Sequence, residues 1–292
     1  MQEKLSQSPM PKVRLITFGA GTTHILRAVQ RLASQAKKFP WIDEVRTYSE
    51  ADLPDEYFSQ MGDILKNNPK GFGLWSWKPF LIERELDLLN PGDILIYLDA
   101  GVEINKKGAS RFTYYLDHLA RKDMLLFQLD HQHRNWTKRS AEVFDLGENF
   151  FRNQVVAGIL MFRVSDNSKS LVSRWKQLCT INEGALLEDP NPLSSEVHPQ
   201  LIEHRHDQSL LSKAVFEAGI ETWPDETIFR PWKRGEEFPF LALRNKSSRR
   251  SWLPWAFNTP FIVWRLVYVF SNSNLRRASL RRFVKWIVPG RP

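Results

Sequence analysis

Apolar residues fall in short runs punctuated by turn-forming residues, and the alternation of run types predicts the elements. Val13 to Phe18 is an apolar run between Pro11 and Gly19-Ala20-Gly21, the signature of a buried strand entering a tight turn. Ile25, Val29, Leu32 and Ala36 then repeat at helical spacing, with Thr22 or Thr23 placed to cap the helix. Residues 43–48 read as a second strand, so the chain opens β-α-β. A helical segment over 55–67 leads into the loop Asn68-Pro69-Lys70-Gly71-Phe72-Gly73. Pro79 suits the first turn of the next helix, whose buried stripe is Ile82, Leu86 and Leu89, and Pro91-Gly92 ends it. Ile94 to Leu98 is an unbroken apolar pentamer, a strand covered on both faces, and it stops at Asp99-Ala100-Gly101. Further strands are predicted over 124–129 and 155–162, with helices over 109–120, 166–178 and 207–218. The proline-rich, acidic stretch 183–199 is a loop. This alternation predicts an α/β fold, an open and mainly parallel sheet flanked by helices.

Composition removes several alternatives. Of 292 residues, 42% are hydrophobic and 25% charged, too apolar and too evenly charged for a disordered chain. A lone cysteine excludes a disulfide framework and a four-cysteine zinc site; Cys179 shares a helix face with Leu171, Trp175 and Leu178 and reads as core.

The formal net charge of +8 is unevenly placed. Residues 241–292 hold 11 of the 41 basic groups and no acidic one, which leaves 30 basic against 33 acidic groups in residues 1–240. Three segments are therefore expected: a polar arm over 1–11, a main domain over 12–240 and a basic tail over 241–292. The acidic body argues against nucleic acid as its partner. In the tail, Trp252, Trp255, Phe257, Phe261, Trp264, Tyr268, Phe270, Phe283 and Trp286 interleave with arginines. That pattern suits an anionic membrane surface contacted through 250–292; the alternative is a packing arm with a solvated basic face. The first 11 residues lack the apolar core of a secretory signal, and the longest apolar stretch, Phe261 to Phe270, is short and contains Arg265. The expected location is cytoplasmic, peripheral on the inner face of the membrane.

In open α/β sheets ligands bind beyond the carboxyl ends of the strands. Asp99 ends the most apolar strand, and Glu103 follows four residues on, a pair of carboxylates suited to a hard divalent cation carrying phosphate oxygens. Asp99 as a simple turn residue is the alternative. Lys78 is the nearest cationic candidate, or else a surface lysine at a helix start. Trp75 and Trp77 read equally as stacking platforms and as core. The glycines of the 17–23 loop allow close approach of a base and ribose but do not form a dinucleotide fingerprint. Asp130 and His131 follow a strand on the same sheet edge. Ala157-Gly158 marks a small-residue break where a sugar can approach the backbone. Asp207 reads as a helix cap or as a base acting on an acceptor hydroxyl.

Gly71 to Gly101, with Trp75-Ser76-Trp77-Lys78-Pro79 leading a helix and Ile96-Tyr97-Leu98-Asp99-Ala100-Gly101 closing the next strand, resembles the nucleotide-sugar-binding half of bacterial GT-A-fold glycosyltransferases. Trp136-Thr137-Lys138-Arg139 and His206-Asp207-Gln208 are also similar to what those enzymes carry, and the resemblance spans roughly residues 12–235. It implies transfer of a sugar from a nucleoside-diphosphate donor to a glycan or lipid-linked acceptor hydroxyl, in surface polysaccharide or lipopolysaccharide assembly, with a divalent cation, Mn or Mg, on the diphosphate. Asp99 matches the first carboxylate of the family's Asp-X-Asp motif, whereas Gly101 departs from its third position. Either Glu103 supplies the missing ligand, or a distant histidine does, or cationic side chains replace the metal.

The site expected on this resemblance comprises Thr17, Phe18, Gly19, Trp77, Lys78, Asp99, Ala100 and Gly101 for the donor; Asp99, Glu103 and His206 for the metal; Asp130, His131 and Gln208 for the acceptor; and Asp207 with Lys78 for catalysis. Two rivals stay open, a non-catalytic nucleotide-sugar or glycan-binding module and an RNA-binding protein acting through its tail.

Overall fold

The computed structural model describes residues 11–140, 147–227 and 238–247. Ten strands and six α-helices of more than one turn are labelled here in chain order: β1 Val13–Phe18, α1 Thr23–Ala36, β2 Glu44–Tyr48, α2 Asp55–Asn67, α3 Trp77–Asp87, β3 Ile94–Leu98, β4 Glu103–Ile104, α4 Ala109–Arg121, β5 Met124–Leu125, β6 Phe127–Gln132, β7 Asn153–Val155, β8 Ile159–Arg163, α5 Asp166–Thr180, α6 His206–Glu217, β9 Trp223–Pro224 and β10 Phe240–Leu241.

The central sheet has the order β2-β1-β3-β8-β5. β1 is parallel to β2 and β3, and β8 runs antiparallel to both β3 and β5, so four of the five strands point the same way. The fold is therefore α/β with a mainly parallel sheet. Helices cover both faces, which is why β3 and β8 read as apolar runs rather than alternating ones, and β1 as one interrupted only by Arg14 and Thr17. Ile94, Ile96 and Leu98 pack toward Leu32, Phe112 and Tyr115, while Leu95 and Tyr97 pack with Phe80, Trp175 and Leu211. Successive residues of one strand thus serve opposite cores.

Two expected strands are each divided. The run 124–129 breaks at Leu126, where the chain leaves the central sheet and β6 joins a second sheet of order β7-β6-β9. The run 155–162 breaks at 156–158 between β7 and β8. The expected boundary at 240/241 falls inside β10, which pairs antiparallel with β4 (Phe240 with Ile104, Leu241 with Glu103). Residues 241–247 consequently belong to the body. The remainder of the expected tail, 248–292, and residues 1–10 of the arm lie outside the described residues. No helix among the described residues is long and apolar enough to cross a membrane.

Candidate active site

Three of the expected residues meet on one face of the sheet. Tyr97 points to the α3–α5–α6 side, and Asp99, two residues on, follows it. α3 brings Lys78 and the start of α6 brings Asp207. The Lys78 ammonium lies 2.9 Å from Asp207 Oδ2 and 3.3 Å from Asp99 Oδ1, and donates to the Ala157 carbonyl at 3.2 Å. The Tyr97 hydroxyl donates to Asp99 Oδ1 at 2.5 Å. The three charges differ in access: the side chains of Lys78 and Asp207 are 3% and 6% exposed, that of Asp99 41%. Asp99 is thus an open carboxylate braced from behind by buried groups.

The electrostatics follow from that burial. Burial alone would lower the Lys78 pKa, but the carboxylates of Asp207 and Asp99 outweigh it and hold the pKa above its ordinary value. Burial raises the Asp207 carboxyl to about 6, against the opposing pull of Lys78. Burial, with the Asp99 charge added, pushes the Tyr97 hydroxyl well above the usual phenol range, so it stays a donor to Asp99. Gly158 is required here: a Cβ on it would stand 2.6 Å from Asp99 Oδ2, while its carbonyl accepts from Asp99 N at 2.8 Å. The small-residue break at 157–158 therefore makes room for Asp99 itself.

α3 is aimed by an unusual turn. Gly71, Phe72, Gly73, Leu74 and Trp75 all have positive φ, between 55° and 78°. A left-handed turn costs about 1–2 kcal/mol for each non-glycine residue, so its surroundings must hold it. Tyr57 Oη donates to the Phe72 carbonyl at 3.1 Å, and Trp77 Nε1 donates to the Gly71 carbonyl at 3.0 Å. Farther along α3, the buried Glu85 accepts from Arg14 at 3.1 Å and Tyr48 at 2.5 Å, tying the helix to β1 and β2.

The expected donor residues divide. Trp77 is buried in the core and stacks on Phe18, their ring centroids 3.9 Å apart. Trp75 is the half-buried tryptophan, 5.8 Å from the His206 ring. Thr17 is fully buried within β1. Gly19 donates to the Tyr48 carbonyl at 3.0 Å, and a Cβ on it would press on Val29 at 2.7 Å, so this glycine serves the packing of α1 against the loop. Ala100 and Gly101 lie beside Asp99, their backbone held by residues that sequence reasoning did not identify. Arg31 donates to the carbonyls of Ala100 at 2.8 Å, Val102 at 3.0 Å, Asn245 at 3.1 Å and Ser247 at 3.1 Å. Asn245 N donates to the Gly101 carbonyl at 2.9 Å.

The expected metal set of Asp99, Glu103 and His206 is not brought together. Glu103 is buried in β4 and accepts from Asn245 Nδ2 at 2.6 Å. His206 Nδ1 donates to the Leu187 carbonyl at 2.7 Å, and its Nε2 meets the Lys70 ammonium at 3.0 Å, so both ring nitrogens are engaged. No group of three or more His, Cys, Asp or Glu that could hold a metal ion occurs among the described residues.

On the acceptor side, Asp130 is exposed and His131 stacks on Trp136 at 4.7 Å, with the Arg205 guanidinium 4.4 Å from the Trp136 ring. Gln208 donates to Gln154 Oε1 at 2.7 Å, and Gln154 in turn donates to Thr137 and Ser209, a buried polar network beneath that surface. Tyr97 carried a legible signal, two residues before Asp99 on one strand; Arg31 and Asn245 carried none.

No family model and no curated protein sequence matches the chain. Among solved structures, it is similar to a glycosyltransferase involved in the glycosylation of the major capsid of PBCV-1, at 12% identity over 79% of this chain and 92% of that one, TM-score 0.40. It is similar to mouse xyloside xylosyltransferase 1 at 11% identity over 76% and 89%, TM-score 0.42. A mannose-6-phosphate isomerase from Helicobacter pylori matches at 10% identity over 61% and 82%, TM-score 0.34.

Proposed function

We propose that the chain is a glycosyltransferase that moves a sugar from a nucleoside-diphosphate donor to an acceptor hydroxyl in the crevice where β1 and β3 end. The observation that carries this reading is the open Asp99 carboxylate at the end of the central strand, braced by Tyr97 and Lys78. The donor diphosphate lies over the 99–101 loop, and the acceptor lies toward Asp130 and the His131–Trp136 stack. The bond from the sugar's anomeric carbon to the diphosphate oxygen breaks, a bond to the acceptor oxygen forms in its place, and the acceptor's proton passes to the departing diphosphate. Lys78 and Asp207 are too buried to touch either substrate. They act as positioning residues that fix Asp99, in place of the catalytic role the sequence assigned them.

A cage for a resident ion is a poor fit to these residues. A cation arriving with the diphosphate fits better, because Mg²⁺ commonly takes one or two carboxylates together with substrate phosphates and water. Asp99 would be the protein ligand. Such an ion neutralises charge on the leaving diphosphate. The acceptor class retained from the sequence is a glycan or lipid-linked glycan, with assembly of surface polysaccharide or lipopolysaccharide as the setting.

One observation favours a second reading, a nucleotide-sugar-binding module without activity: Gly101 stands where the related enzymes have a second carboxylate. A panel of UDP-, GDP-, CMP- and dTDP-sugars, with and without manganese, separates the two in thermal-shift and donor-hydrolysis assays. Stabilisation by one donor with slow release of its nucleotide, both lost in Asp99→Asn, supports transfer. Stabilisation without release under any condition supports binding alone, and no response from folded protein rejects both.

A further inference from the structure

A groove of about 550 Å³ runs along α1 beside β4, on the side of the Ala100–Val102 loop away from Asp207. Among the described residues, Arg27, Arg31, Gln35, Lys38, Ile104 and Lys106 line it, and no acidic one does. Arg27 and Arg31 lie one turn apart on α1, and Lys38 follows just beyond its C-terminal end. Arg27, Lys38 and Lys106 are exposed, whereas Arg31 is buried and turned onto backbone carbonyls. Three solvated cations on a wall whose described lining holds no carboxylate make a site for an extended anionic partner rather than for one small ligand.

The described chain ends on this same wall, where the Ser247 carbonyl accepts from Arg31 Nε. By sequence, residues 248–292 carry nine basic groups and no acidic one. An anionic surface would satisfy the cations of the groove and of that segment alike. The same segment includes Phe261 to Phe270, ten residues with Arg265 as their one charge, and places Trp252, Trp255, Trp264 and Trp286 among its arginines. Tryptophan and arginine belong at headgroup depth and aliphatic residues just below it; RNA has no use for the aliphatic run.

We propose that the α1 groove, through Arg27, Lys38 and Lys106, docks the protein on an anionic membrane, with lipid phosphates on these three cations. Arg31 also holds the carbonyls of Ala100 and Val102, so the docked face adjoins the Asp99 loop. The inference does not depend on the sugar-transfer reading.

The test is binding of the full chain to vesicles of phosphatidylcholine alone, to vesicles that also contain phosphatidylglycerol, and to a single-stranded RNA. The groove variant is Arg27→Glu/Lys38→Glu/Lys106→Glu. The control is Lys66→Glu/Arg121→Glu/Lys122→Glu, an equal change of charge at exposed positions outside the groove. The expected result is binding that requires phosphatidylglycerol, weakens with salt, and falls on the order of 100-fold in the groove variant but only several-fold in the control. Where the glutamate variant melts below wild type, the corresponding triple glutamine variant is read instead. Equal losses in groove and control variants, no vesicle binding by the wild type, or groove-dependent binding of RNA in place of vesicles would each overturn the proposal.

Discussion

The backbone of Arg244 lies 3.0 Å from the point at which a side chain on Gly101 would begin. The returning segment 243–247 therefore occupies the space that a side chain at position 101 needs, and the same segment engages Glu103 through Asn245. Gly101→Asp is therefore expected to destabilise the fold by about 1–3 kcal/mol, as overpacking does, without adding affinity for manganese. Thermal unfolding with and without the ion checks both halves; a metal-dependent gain in stability specific to the variant would contradict them.

Gly158→Ala places a methyl group 2.6 Å from Asp99 Oδ2, closer than a carbon and an oxygen can stand. Asp99 is the part that moves, because its side chain opens to solvent while the Gly158 backbone is fixed by β8. Donor turnover is expected to fall at least about tenfold, in line with the cost of small misplacements at reacting centres, with a modest change in melting temperature. Turnover at the wild-type rate would separate Asp99 from the chemistry.

Among the described residues, Lys78 is the one cation paired with Asp99 and Asp207. Lys78→Met should cost about 3–5 kcal/mol, the usual penalty for breaking a buried pair. Adding Asp207→Asn should recover part of it, since the stranded charge is then gone. A double-mutant cycle in urea reads the coupling directly, and additive losses would show that the pair contributes nothing as a pair.

Asp207 also sets a pH dependence. Its carboxyl is raised from 3.8 to about 6 by burial, so between those values the folded state keeps a proton that the unfolded state has released. Stability from this group is then full below about pH 4 and falls as pH rises toward 6, by on the order of 2–3 kcal/mol. Glu44, held down at about 2 despite burial by Lys12, Arg46 and Arg14, contributes in the opposite direction at lower pH. The difference in unfolding free energy between wild type and Asp207→Asn, followed from pH 4 to pH 7, isolates the Asp207 contribution. A flat difference would place its carboxyl near the ordinary value.

Much of the fold was legible because its strands are covered on both faces. β1 and β3 coincide with the runs that predicted them, and α2 spans the segment 55–67 expected to be helical. Pairing was less legible. Met124 to Leu129, apolar but for Gln128, reads as one strand yet serves two sheets, since a change of partner at Leu126 leaves no mark on hydrophobicity. Trp75 and Trp77 are chemically identical and two residues apart. A left-handed turn that contains three non-glycine residues decides which is core, and no local pattern announces it. Lys78, Asp99 and Asp207 each stood out at the end of an element; that one ammonium joins both carboxylates depends on the tertiary packing of α3 and of α6 against α5.

The loop between α5 and α6 offers a last test, since buried neutral histidines fasten it. His204 accepts from Lys138 N at its Nδ1, 3.2 Å away, and its Nε2 donates to the Leu186 carbonyl at 2.9 Å. Protonation would set a second N–H against Lys138 N–H. Burial, joined by the neighbouring His206, holds the His204 pKa well below 6.5, and burial lowers His206 as well. For a base depressed in the folded state, the unfolded chain binds more protons just below pH 6.5, so this stability is present above that value and is lost as pH falls. Amide exchange in residues 185–204 is therefore expected to quicken between pH 7 and pH 5 relative to β1 and β3, once the intrinsic pH dependence of exchange is removed. His204→Gln keeps a donor for Leu186 without a titrating ring, and should shift that loosening to lower pH. Loosening at an unchanged pH in this variant would assign the sensitivity to His206, where protonation would oppose the Lys70 ammonium 3.0 Å away.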